Sequence, residues 1–251
     1  MKKGFWITVK DIIRKVDVIL EILDARMPEL TRNKRLEDYT AKHNKPLILV
    51  INKVDLISKS GIKNLRSQYE STDYVLTTYK KYETVSMLIK ATKKKVKKNN
   101  IKVAFIGYPN TGKSSLINAL SKGGVAKTSA ESGFTKGIQW ITGKQGLLLY
   151  DTPGVIPYGE RDEIKLGLMS GISPTKLEDP DLVAYELIKI FKDNSPMKLK
   201  LVYGLNPGLE PEEILEEFGK KRNILKKGGI VDEKRAAIQL ILDWHKGKIR
   251  L

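Results

Sequence analysis

The sequence contains no cysteine. That excludes a disulfide framework, a cysteine-ligated zinc or iron–sulfur site and a cysteine nucleophile. Histidine is nearly absent too: His43 and His245 are the only two, too few for a His-rich metal site. No apolar run approaches the ~20 residues that a spanning helix needs. The start, MKKGFWITVKDIIRK, is basic but has no apolar stretch of signal-peptide length with a cleavage site. A cytoplasmic chain with no membrane partner is therefore expected. Disorder is excluded by an apolar content of 41%, and 251 residues are ample for a packed core without staples.

Positive charge is abundant. The chain holds 46 Lys plus Arg against 29 Asp plus Glu, a formal charge of +17. The excess is segregated, since residues 1–100 carry 23 basic and 11 acidic side chains. Such a surface attracts polyanions by releasing their counterions.

Buried apolar runs alternate with helical patterns over the first two thirds of the chain. Strands are expected at 17–23, 46–51, 74–78, 101–106, 138–142 and 146–150. Helices are expected at 8–15, 32–43, 60–70, 84–98 and 113–121. This alternation predicts an α/β fold with a mainly parallel sheet covered on both faces. After residue 174 only helical patterns remain. One starts at Asp179-Pro180, one runs from Pro211 to a stop at Gly219, and one is capped by Asp232. In the last, Ile238, Ile241, Leu242 and His245 are expected on one buried face. The predicted organisation is an α/β domain, 1–174, followed by a small all-helical domain, 175–251. The run KKKVKKNN at 93–100 reads either as a solvated linker or as a phosphate contact.

Three motifs stand at the ends of predicted strands. The first is Gly107-Tyr-Pro-Asn-Thr-Gly112-Lys113-Ser114, which fits the phosphate-binding loop pattern and lies between a strand and a helix. Its glycines let successive backbone N–H groups, including those of Thr111, Gly112 and Ser115, face phosphate oxygens. Lys113 would reach the β- and γ-phosphates, and Ser114 would bind Mg²⁺. The second is Asp151-Thr-Pro-Gly154. Asp151 can hold Mg²⁺, and the Gly154 N–H can sense a γ-phosphate. The third is Asn52-Lys53-Val54-Asp55. The Asp55 carboxylate can accept from the ring N–H and the amine of guanine, whereas adenine would set an acceptor against it. Asn52 is expected to brace the phosphate loop and the stem of Lys53 to cover the base. Thr135, in GFTKGIQW, is a candidate switch threonine for Mg²⁺ and γ-phosphate. Together these predict a GTP/GDP switch in which Lys113, Thr135 and Gly154 serve hydrolysis.

The order of the motifs is unusual, because the base-reading motif precedes the other two. A P-loop GTPase sheet whose termini have been moved by circular permutation reconciles them.

With Asp24-Ala-Arg26-Met-Pro28, NKVD, GYPNTGKSSLIN, GFTKGIQW, DTPG, VYGLNP and KKRNILKKGGIVDEKRA in place, nearly the whole chain resembles the YlqF/RbgA-type circularly permuted GTPases of ribosome biogenesis. The resemblance implies a GTPase, slow without a partner, that binds the large ribosomal subunit or its rRNA; a monomer is expected. A GTP-gated RNA-binding module without catalysis is the alternative. Asn110 resembles the asparagine that coordinates K⁺ in cation-dependent GTPases. Two features depart from common patterns. Val155 and Ile156 occupy the place where many GTPases carry a water-orienting Gln. Where some relatives have Gly-His-Met near the N-terminus, this chain has Ile7-Thr8-Val9. The loop after strand 74–78 also lacks the usual Ser-Ala, which leaves Thr77 and Thr78 as candidates to support the base.

Overall fold

The computed structural model describes residues 4–123, 140–152 and 162–251. The chain divides into two compact units, residues 1–160 and 161–251, which are taken in turn.

The first unit contains six strands: β1 (Val18–Asp24), β2 (Leu47–Asn52), β3 (Tyr74–Leu76), β4 (Ile101–Ile106), β5 (Trp140–Thr142) and β6 (Leu147–Asp151). They form one sheet in the order β3-β2-β1-β4-β6-β5, parallel except where β5 meets β6. The strand period of two sorts the core onto two faces. Val18, Leu20 and Ile22 of β1 join Val103 and Phe105 of β4 on one side. There they pack with α5 (Tyr82–Lys95) and α6 (Lys113–Leu120) through Leu88, Ile89, Leu116 and Ile117. On the other side Ile19, Ala104 and Ile106 pack with α1 (Gly4–Lys15) and α3 (Lys34–Lys42). Leu23, Leu49 and Ile51 pack there with Leu65 of α4 (Lys59–Gln68). The sheet is thus covered on both faces, as the continuous apolar runs require.

Several boundaries differ from expectation. A one-turn helix, α2 (Pro28–Thr31), follows β1, started by a proline at its first position. Helix α5 stops at Lys95 rather than running to 98, because Val96 is extended. The basic stretch after it is tied down, since Lys95 pairs with Asp73 and Lys98 with Asp17.

The second unit is helical: α7 (Glu163–Leu168), α8 (Pro180–Asn194), α9 (Pro196–Tyr203), α10 (Pro211–Lys221) and α11 (Glu233–His245). Helix α7 packs on α8 and α11, with the Trp244 indole donating to the Leu168 carbonyl at 2.9 Å. That contact holds α7 in the helical unit, whereas the domain boundary was expected at 174. Helix α9 was not expected; Pro196 opens it and Gly204, at φ +70°, ends it. Gly219 does not end α10 but lies inside it, where a Cβ would come within 2.3 Å of Val231 Cγ1. The glycine serves close packing there, not termination. On α11 the fully buried face is Ala237, Leu240, Ile241 and Trp244, whereas the expected Ile238, Leu242 and His245 are half-buried. The bulk of Trp244 turns the helix toward Phe191, which it meets edge-on at 5.8 Å.

Candidate nucleotide-binding site

In a parallel sheet the carboxyl ends of the strands lie on one edge, and loops there can converge. Strand β4 ends at Ile106, and the loop 107–112 leads into α6. Two glycines are required by their surroundings. A Cβ at Gly107 would stand 2.5 Å from the Ile22 carbonyl of β1, and one at Gly112 would stand 2.2 Å from Asn52 Nδ2. Gly112 is also left-handed, at φ +96°. Asn110 shares the left-handed region at φ +59°, which an asparagine tolerates.

Asn52, the last residue of β2, donates from Nδ2 to the Thr111 carbonyl at 2.9 Å. The Asn52–Asp55 segment and the 107–112 loop are therefore directly bonded. Thr111 is buried and its hydroxyl donates to the Tyr108 carbonyl at 3.0 Å. Lys113 folds its ammonium over the loop, donating to the carbonyls of Gly107 (3.0 Å) and Tyr108 (2.7 Å). Burial pushes its pKa down to about 8, with the charge of Asp151 opposing.

Asp151 ends β6, whose register sets it beside Phe105 of β4. Its carboxylate accepts from the Ser114 hydroxyl. Burial raises its pKa, opposed by Lys113 and by that hydrogen bond. Next to it, the Thr152 hydroxyl donates to the Phe105 carbonyl at 2.6 Å. A hydroxyl paired with a carboxylate, beside a lysine, fits a Mg²⁺ that keeps waters and phosphate oxygens as its remaining ligands. A protein-only cage would need more acidic or imidazole groups, and the described residues contain no such cluster of three. Ser115 follows, half-buried, in the first turn of α6. Thr135 and Gly154 lie outside the described residues.

The other end of the site contains a charge cluster that sequence reasoning passed over. Asp24 of β1 lies beside Asn52 in the β1–β2 register. It accepts from Arg26 at 2.9 and 2.7 Å and from the Lys53 ammonium at 2.8 Å. Burial would raise the Asp24 carboxyl, but the two cations hold it well below the usual carboxylate range. Burial lowers the Lys53 pKa, with Asp24 opposing. Lys53 is itself left-handed, at φ +65°. Asp24 thus fixes the stem of the lysine expected over the base. The signal was present: Asp-Ala-Arg ends a strand adjacent to the one that ends in Asn-Lys.

Asp55 stands in the short turn Val54–Leu56. Its carboxylate accepts from Lys80 at 2.7 Å and from the Thr78 hydroxyl. Burial works to raise its pKa, yet these two donors hold it below the ordinary value. Thr77 and Thr78 are both fully buried. Thr78 bonds Asp55, whereas the Thr77 hydroxyl donates to Thr84 Oγ1 at 3.3 Å. Thr84 in turn donates to the Thr78 carbonyl at 2.8 Å, closing the loop. The histidines are elsewhere. His43 stacks on Tyr39, and His245 Nε2 lies 2.6 Å from the Gly167 carbonyl.

Against known proteins, a family model described as "50S ribosome-binding GTPase" matches residues 102–199. The GNP-bound YlqF of T. maritima has 25% identity and a TM-score of 0.66, with 98% of this chain and 95% of that one covered. A GDP-bound YlqF structure has 27% identity and a TM-score of 0.64, over 96% and 95%. An uncharacterized GTP-binding protein of Methanocaldococcus jannaschii is 35% identical across 97% of this chain and 66% of its own. Nucleolar GTP-binding protein 2 of Saccharomyces cerevisiae is 30% identical across 98% of this chain and 52% of its own. The chain thus spans half to about two thirds of the length of these curated relatives. Among the described residues no helix is long and apolar enough to cross a membrane.

Proposed function

The chain belongs to the YlqF-type circularly permuted GTPases, and we propose that it is a GTP-binding and GTP-hydrolysing switch in large ribosomal subunit assembly, acting on rRNA or the pre-ribosome. The observation that carries the reading is the Asn52–Thr111 bond. It bonds the segment that carries Asp55 to the 107–112 loop although the two are far apart in the chain, which supports reading them as one site.

Asp55 selects guanine by accepting its ring N–H and amine. The loop N–H groups and Lys113 bind the phosphates, as preorganised donors where charge develops. Ser114 and Asp151 would hold Mg²⁺, which supplies charge neutralisation on the β- and γ-phosphates when bound. Thr135 and Gly154 are proposed to close on Mg²⁺ and the γ-phosphate. Asn110 is proposed to hold K⁺ beside them. Hydrolysis is proposed to be slow until a ribosomal particle completes the site, since neither a Gln after Gly154 nor an early His is present in the sequence.

The test is GTP turnover in K⁺ and in Na⁺, with and without purified large subunits. Strong stimulation by subunits supports the reading, and loss of turnover in Na⁺ supports the role of Asn110. Tight GTP binding with no turnover in any condition refutes the hydrolase. A monomer working in the cytoplasm is proposed as well. The word nucleolar belongs to the yeast relative, and localisation of the tagged chain decides the matter here.

A further inference from the structure

Helices α1 and α3 cover the same face of the sheet. Between them lies a groove of about 190 Å³ lined by Lys10, Arg35, Asp38, Tyr39 and Lys42. Three of the five lining residues are cationic, one is aromatic and one is acidic. Several neighbouring cations are already committed. Arg14 lies 3.8 Å from Asp11, and Arg32 makes a two-pronged contact with Glu37 at 2.7 and 2.8 Å. Lys45 donates to the carbonyls of Arg14 and Val16 at the end of α1. Lys10 and Lys42, by contrast, have no carboxylate within ion-pair distance among the described residues. The Lys10 ammonium lies over the Tyr39 ring, 5.3 Å from its centroid. The Tyr39 hydroxyl is enclosed, so the ring is the part that lines the groove.

We propose that this groove between α1 and α3 binds an RNA backbone phosphate through Lys10 and Lys42. The proposal rests on the reading that the chain binds rRNA, and it names the contact surface. Its size suits a phosphate group and falls short of the ~300–1,000 Å³ typical of pockets for larger organic ligands. Its lining has no aliphatic residue to enter a lipid layer, which a membrane-surface site needs. A wall carrying two lysines with no carboxylate partner is the composition that holds a backbone phosphate. The surplus charge of residues 1–100 then has a definite place to act. Helix α3 leaves the carboxyl end of β1 and returns toward the start of β2. Lys42, at its far end, is therefore at the edge of the sheet opposite the nucleotide loops, and the two sites are separable.

The experiment uses the full chain, Lys10→Gln/Lys42→Gln, with Lys63→Gln/Lys90→Gln, two exposed lysines on α4 and α5, as a control of equal charge. Binding of a fluorescein-labelled RNA hairpin is measured against KCl concentration, and binding of a fluorescent GDP analogue alongside. The expected result is RNA affinity about 10-fold weaker for the groove variant at low salt. The slope of log K against log salt should be shallower by about 1–2, the release expected for one or two lost phosphate contacts. GDP-analogue affinity should be unchanged, which also certifies the fold. An equal loss in the control, or no change in slope, overturns the groove assignment while RNA binding by the chain stands. Competition by polyglutamate as effective as by RNA overturns it in favour of an acidic protein partner. No RNA binding by the unmodified chain overturns the parent reading together with the groove.

Discussion

Glu21 is wholly buried in the middle of β1, on the face that also carries Ile19 and Leu23. Its neighbours across the sheet are Leu49 and Ile106. One oxygen accepts the Asn33 N–H at 2.7 Å, and the other has no partner among the described residues. Burial pushes its pKa from 4.5 up to about 8, with the Asn33 bond opposing and Glu37 adding. The carboxyl is therefore neutral in the folded chain at pH 7, whereas in the unfolded chain it ionises near 4.5. Unfolding between those values releases a proton, so this group's contribution is complete below pH 4.5 and is lost as pH rises through 8. At about 1.4 kcal/mol per unit the full loss is about 4–5 kcal/mol, an upper figure because the site can relax or admit water. Glu21→Gln keeps an acceptor for Asn33 and cannot ionise. Its stability should match that of the unmodified chain at about pH 4 and exceed it progressively from about pH 5 to 8, levelling off above. For a unit of this size that is a gain of about 10 °C in Tm at pH 9. Calorimetry, which resolves the transition of the sheet unit from that of the helical unit, is the assay. Other titrating groups are common to both chains and cancel in the difference. Parallel Tm-against-pH curves would refute the reasoning and mean that Glu21 is ionised in the folded state.

Three further outcomes follow from the site and its supports. Asp24→Ala leaves the buried Arg26 and Lys53 without their shared carboxylate; it should cost about 3–5 kcal/mol and weaken guanine nucleotide binding, read by urea unfolding and by titration of a fluorescent GDP analogue. Lys80→Ala frees Asp55 from a half-exposed ion pair and should leave stability within about 1 kcal/mol. If Lys80 competes with guanine for that carboxylate, the GDP analogue binds up to about fivefold tighter; weaker binding would instead mean that Lys80 covers the base. Gly219→Ala gains about 1 kcal/mol of helix propensity but drives a methyl into Val231. Overpacking of about 1–3 kcal/mol should prevail, lowering the Tm of the helical unit.

The elements most legible in the sequence were those whose periodicity left one reading. PLILVI is a continuous apolar run and IKVAFI is broken only by Lys102, and both are interior strands of the sheet. The phosphate loop was legible because its glycine spacing lies between a strand pattern and a helix pattern, although the atoms that demand Gly107 and Gly112 belong to Ile22 and Asn52. Less legible was whatever depends on a neighbour distant in sequence. Gly219 reads as a helix stop until Val231 is seen against it. The face of α11 is set by the partner of Trp244, not by the spacing of its apolar residues. Helix α9, PMKLKLVY, alternates like a strand and exposes Leu201, so its own pattern argued against it. Asp24 and Arg26 were visible as a motif, but their chemistry was not, because the partner Lys53 is reached only through the β1–β2 register.

That register also explains why moving the termini leaves the site intact. These candidate site residues are each placed by a strand end and by the strand next to it: Asn52 by β2 beside Asp24, Gly107 by β4 beside Ile22, Asp151 by β6 beside Phe105. Parallel neighbours set the height of each loop above the sheet, and hydrogen bonds such as Asn52 to Thr111 then set the lateral spacing. Neither depends on which strand comes first in the chain. What the order does change is which segment leaves the site. After Asp151 and Thr152 the chain continues toward the helical unit, whose first helix begins at Glu163. The segment that would sense a γ-phosphate is therefore also the tether of the second unit. Any nucleotide-dependent change in Gly154 has fewer than ten residues in which to be absorbed before α7.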